Sequence, residues 1–167
     1  MDYATGEDDR SMSIFRKERL RPTQLRTVAE RRFGDADALR RTGRNARANG
    51  AMYLGGFVIE CLLKAKLLDK RTWLQAARSS EGLSKRDAHL WSLCYRSHDL
   101  DAILAKLPEI EHRLSLVEQR GSNRLLQSLK SICAGWTVYA RYSPRSADID
   151  DAASFLDQIK ELMPWLR

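Results

Sequence analysis

The sequence predicts an all-α fold, an antiparallel up-and-down helical bundle of four long helices plus short extra helices. Three observations carry this expectation. Apolar residues recur at intervals of three and four in every long segment, the spacing that lines up one face of a helix. No segment alternates apolar and polar residues as a half-buried strand does. The most apolar run, Ala51 to Leu68, is apolar nearly all round, which suits the central helix of a bundle. That run is long enough to raise the question of a membrane span, but Glu60, Lys64 and Lys66 inside it argue against one.

Taken in order, residues 1–20 have few apolar anchors and read as a tail, ahead of one helical bundle domain over 21–167. Pro22 suits the first turn of a helix, where its missing N–H costs nothing. Leu25, Ala29, Phe33 and Ala36, with Val28 and Leu39 alongside, give that helix its apolar stripe, and Gly43 can end it. The central helix follows from about Ala46 to Asp69. Within it Gly55 and Gly56 each cost about 1 kcal/mol against Ala, which makes sense where another backbone comes close.

Residues 70–97 are the least readable. Trp73-Leu74 and Leu90-Trp91-Ser92-Leu93 suggest short helices, separated by a turn at Ser79-Ser80-Glu81-Gly82. Ser97 is a candidate N-cap for a helix carrying Leu100, Ile103, Leu104 and Leu107, which Pro108 interrupts. A short helix with Leu114 and Val117 then ends at Gly121. Ser122 can cap a long helix with the core stripe Leu125, Leu129, Ile132, Trp136 and Tyr139, stopped by Pro144. Ser146 or Asp148 caps the last helix, whose stripe is Ile149, Ala152, Leu156, Ile159, Met163 and Leu166.

Composition narrows the function. The N-terminus starts acidic with no apolar leader, and Cys61, Cys94 and Cys133 are too scattered for a metal site or a disulfide framework. A cytoplasmic protein without cofactor, metal or membrane attachment is expected. The net charge is +7, and residues 10–47 supply the excess with twelve Lys and Arg against four Asp and Glu. Arg40, Arg44 and Arg47 fall on one helical face as a basic strip, with Arg41 beside it. Most such runs are solvated faces; the sharper reading is a strip facing phosphates or an acidic partner.

One stripe of the central helix is polar. Asn49, Tyr53, Gly56, Glu60 and Lys64 follow at spacings of four, three, four and four. The plainer reading is a structural Glu60–Lys64 pair at the edge of the core. The functional reading is an inter-helix cleft, with Gly56 leaving room for a ligand or a partner helix.

Gly55 to Ala65 resembles the central-helix motif of the HEPN family, the higher eukaryotes and prokaryotes nucleotide-binding domain. His98-Asp99-Leu100 resembles the opening of that family's third long helix, and Trp136 to Pro144 resembles its Trp…Arg-Tyr helix end. The resemblance covers roughly residues 25–167. It implies a dimeric bundle, often partnered with a small nucleotidyltransferase in toxin–antitoxin-like or defence systems. Some members are ribonuclease toxins that use an Arg, then four to six residues, then a His. This sequence departs from that motif: no His follows Arg141 or Arg145, and Asp150 stands five beyond Arg145.

Three functions remain open on the sequence. The leading one is a non-catalytic binding module for a nucleotide, RNA or a partner, with a cleft of Tyr53, Glu60, Lys64, His98, Arg141 and Tyr142. The second is a metal-independent endoribonuclease using Arg141 or Arg145 with Asp150 or Glu60. The third is a purely structural partner of a nucleotidyltransferase. The almost all-round apolar central helix and the final stripe also predict a homodimer, because one small bundle offers them little cover.

Overall fold

The twenty-three-residue helix Ala48–Lys70 is the axis of the molecule, and fourteen of its residues are buried. The computed structural model describes residues 19–121 and 124–167, the side chain of Arg141 excepted. They form eight α-helices: α1 Pro22–Arg40, α2 Ala48–Lys70, α3 Trp73–Ala76, α4 Lys85–Tyr95, α5 Leu100–Leu104, α6 Pro108–Gln119, α7 Leu125–Gly135 and α8 Ile149–Leu166. Two 3-10 turns, Asn45–Arg47 and Val138–Tyr142, complete them, and there is no strand among the described residues. The fold is an all-α bundle, as the periodicity predicts. No described helix is long and apolar enough to cross a membrane.

Side-chain contacts give the directions. Arg26 near the start of α1 pairs with Asp69 near the end of α2, so the two helices are antiparallel. Arg40 reaches Asp157 at 3.2 Å and Glu30 reaches Arg167 at 3.2 Å, so α8 also runs opposite to α1. The helices α2 and α8 therefore run the same way. Their contact is close: a Cβ on Gly55 would stand 2.8 Å from Leu156 Cδ2 and 2.9 Å from Ile159 Cδ1. This is the close approach that a glycine in an apolar helix signals, and it comes from side chains of α8 rather than its backbone.

Between α2 and α8 the chain runs as short helices, with α6 and α7 folded back on each other through Lys130 and Glu111 at 3.0 Å, and the breaks have local causes. The expected cap Ser97 does not start α5; its Oγ accepts the N–H of Asp99 at 3.0 Å, and Asp99 is the cap, accepting Ala102 N–H at 2.9 Å. Pro108 opens α6 at its first turn, where a proline is tolerated. Gly121 has φ +83°, a left-handed conformation that a glycine accepts at low cost. The proposed cap Ser122 lies outside the described residues. The first turn of α7 is instead satisfied by Glu118 of α6, whose Oε1 accepts Leu126 N–H at 2.7 Å and Gln127 N–H at 3.1 Å.

The largest departure from the sequence expectation follows α7. The helix stops at Gly135 rather than running to Pro144, and Trp136 and Thr137 are extended. Gly135 is a poor helix residue and Thr137-Val138 is a β-branched pair that favours extended backbone. As a result Trp136 keeps its inward place, but Tyr139, expected in the core, is 74% exposed.

The tail expectation concerns residues mostly outside the described ones. At its described end, Arg19 donates from Nη1 to the carbonyl of Ala77 and lies 6.0 Å from the Tyr95 ring centroid.

The core is one connected apolar cluster contributed by all eight helices. Cys61, Cys94 and Cys133 are free and buried in it, and burial pushes each thiol up to about 12. Thiolate is the reactive form. The native protein is therefore expected to resist thiol labelling at pH 8 and to release all three thiols in denaturant; rapid labelling of any one in native buffer would contradict the burial.

Candidate functional site

The polar stripe of α2 is a seam onto which two distant segments dock. Asn49 Nδ2 donates to the Arg145 carbonyl at 2.7 Å, and its Oδ1 accepts Ala147 N–H at 2.7 Å. The Tyr53 carbonyl accepts the indole N–H of Trp136 at 3.2 Å. The Cβ that Gly56 lacks would overlap that indole, so the glycine makes the notch in which Trp136 sits. One turn further, Glu60 binds Lys64 Nζ at 2.7 Å, and both carboxylate oxygens lie 3.0 Å from His98 Nδ1. Lys64 also donates to the Ser97 carbonyl at 2.7 Å.

These contacts correct the expected cleft. The room beside Gly56 is filled by Trp136, not left for a ligand or partner helix. Glu60 and Lys64 are 5% and 7% exposed and satisfy each other, so they hold the bundle's own segments. Phe57 packs edge-on against Tyr53, Trp136 and His98, with centroids 5.0, 5.1 and 6.0 Å away. Tyr53 is thus part of an internal aromatic cluster. Of the six expected cleft residues, His98 and Tyr142 are exposed, and the side chain of Arg141 lies outside the described residues.

The basic strip does not form a helical face. The ladder of α1 ends at Arg40, and Gly43 has φ +65°, so Arg44 falls in a loop and Arg47 just ahead of α2. Arg40 is engaged, binding Asp37 at 2.5 Å and Asp157 at 3.2 Å. Burial alone would raise the Asp37 carboxyl, but hydrogen bonds and charge from Arg40 and Arg41 win and hold it below the usual range. Only Arg44 and Arg47, with Arg41, remain exposed there.

By pinning Trp136 to α2, the seam creates two grooves on either side of the segment that follows. The first, about 890 Å³, lies between the start of α2, the end of α7, the 136–147 segment and α8. Trp136, Tyr139 and Phe155 supply aromatic surface in it, Asn49 and several serines supply hydrogen-bonding groups, and Arg145 and Asp151 are its charges. The second, about 510 Å³, lies between the start of α5 and the same segment, with His98, Asp99 and Asp101 facing Trp136 and Tyr139. Glu60 lines neither groove. Among the described residues, no group of three or more His, Cys, Asp and Glu could hold a metal ion. No protein-family model, curated protein or solved structure matches this chain.

Sequence reasoning missed the first groove. Its rim residue Tyr139 reads as core while the helix is extended to Pro144; the pair Thr137-Val138 after Gly135 is the signal that the helix ends earlier.

Proposed function

We propose that this chain is a non-catalytic, HEPN-like binding module of the cytoplasm that takes a nucleotide or a short single-stranded RNA segment in the first groove. The observation that carries the reading is the pairing, in one groove of about 890 Å³, of aromatic surface at Tyr139 and Phe155 with the guanidinium of Arg145 and a set of hydroxyls. Aromatic rings stack nucleobases without regard to sequence, and an Arg pairs with phosphate through two parallel hydrogen bonds. Exposed Arg44 and Arg47 and the net charge of +7 would draw a polyanion toward the protein. The form of the enzyme reading that uses Glu60 loses support because Glu60 is enclosed by Lys64 and His98 and lines neither groove.

A second reading has its own observation. Tyr139 and Tyr142 are 74% and 67% exposed on consecutive turns, a surface suited to a second copy of the chain or to a nucleotidyltransferase.

Titrating the protein with a short oligouridylate while following anisotropy tests the first reading. Saturable binding that weakens steeply with salt is expected. Arg145→Glu should weaken it about tenfold or more, from the lost charge-assisted bond and added repulsion. Absence of saturable binding, or an unaffected variant, would remove the groove from the account.

A further inference from the structure

The second groove is a separate matter and does not rest on the reading of the first. We propose that it is a binding site for an organic cation carrying N–H donors, a guanidinium group above all, with His98 as its anchoring acceptor.

The fixed imidazole is the starting point. The carboxylate of Glu60 is ion-paired with Lys64 and can only accept hydrogen bonds. His98 presents Nδ1 to both of its oxygens at 3.0 Å, so Nδ1 carries the hydrogen. In the neutral ring Nε2 is then a bare acceptor. The ring cannot turn over without giving up the Glu60 bonds, and the Phe57 edge holds it from one side at 6.0 Å. The His98 side chain is 47% exposed while Glu60 beneath it is 6% exposed, so a buried carboxylate sets the orientation of a surface acceptor.

What surrounds that acceptor selects the ligand. Asp101 lines the same groove and is exposed. Asp99 Oδ1 caps α5, and its carboxylate adds a second negative charge to the groove. Trp136 and Tyr139 give the opposite wall, and aromatic faces attract cations. No Lys or Arg among the described residues lines the groove, although the protein as a whole is basic. The charge of Lys64, which bonds the neighbouring Ser97 carbonyl, is balanced by Glu60. An anion here would meet two carboxylates and no donor side chain with positive charge. A guanidinium would give one N–H to Nε2 of His98 and another to Asp101, and lay its plane on an aromatic ring.

Such a group can come from a free polyamine derivative or from an arginine of a partner chain. Agmatine and the capped tripeptide acetyl-Gly-Arg-Gly-amide are therefore titrated into the full chain, with imidazole resonances followed by NMR. Saturable shifts of the His98 ring at millimolar concentration, with the ring in its Nδ1–H tautomer, are expected. Tighter binding of the peptide assigns the site to a partner chain, tighter binding of agmatine assigns it to a free cation, and either supports the site. Asp101→Asn, a change at an exposed position whose melting temperature is checked first, should weaken binding about tenfold, the loss of one charge-assisted bond. An unmoved His98 ring, an unaffected Asp101→Asn, or equal shifts with inorganic phosphate would overturn the proposal.

Discussion

Glu60→Ala is expected to lower the stability of this protein strongly. It removes the partner of Lys64, which is 7% exposed and whose ammonium would keep only the Ser97 carbonyl at 2.7 Å. It also frees His98, which ties the start of α5 to α2. Breaking a buried ion pair from one side costs about 3–5 kcal/mol, because the remaining charge stays desolvated. For a chain of this size each kcal/mol lowers the melting temperature by roughly 2–4 °C, so a fall of about 10 °C is expected. Glu60→Gln keeps the shape and one acceptor oxygen and should fall less. The contrast has a second arm. Because Glu60 lines neither groove, Glu60→Gln should bind oligouridylate like the parent. A variant that melts normally but no longer binds would make Glu60 a ligand-contacting residue instead.

Gly56→Ala is the second large effect, and its sign is informative. In an ordinary helix interior the change gains about 1 kcal/mol from propensity alone. Here the new methyl overlaps the Trp136 indole, which must leave its notch and give up its bond to the Tyr53 carbonyl. Overpacking of this kind costs about 1–3 kcal/mol, and the lost tryptophan packing adds to it, so the net change is destabilising. Tryptophan emission should also shift to the red as Trp136 moves toward water. A stabilised Gly56→Ala with unchanged emission would show that Trp136 does not occupy that notch.

Much of the fold is legible in the sequence because it follows from local periodicity. The stripes Leu25–Ala36 and Ile149–Leu166 place α1 and α8, and the all-round apolar run places α2 at the centre. Pro22 and Asp148 mark helix starts by their own chemistry, a proline at the first turn and a side chain accepting Asp150 N–H at 3.0 Å. The polar stripe of α2 was legible as a face, and so was the Glu60–Lys64 pair within it. Its partners were not, since Trp136, His98 and Arg145 come from distant parts of the chain, and nothing in spacing says which loop will fill a notch. The same limit explains Tyr139. An apolar stripe continues on paper through Trp136, but a glycine and two β-branched residues turn the backbone and send the next tyrosine outward. The arginines at 40, 44 and 47 fail for a related reason: helical spacing has meaning only while the helix lasts.

The proposed ligand groove is tested most directly by mapping, residue by residue, where a short oligouridylate lands on the labelled protein. Backbone amide NMR during the titration should show the largest shifts at Asn49, Tyr139, Arg145, Ser154 and Phe155, the walls of the first groove. Shifts confined to Arg44 and Arg47, or no saturable shift anywhere, would contradict it and leave the groove without a ligand of that class.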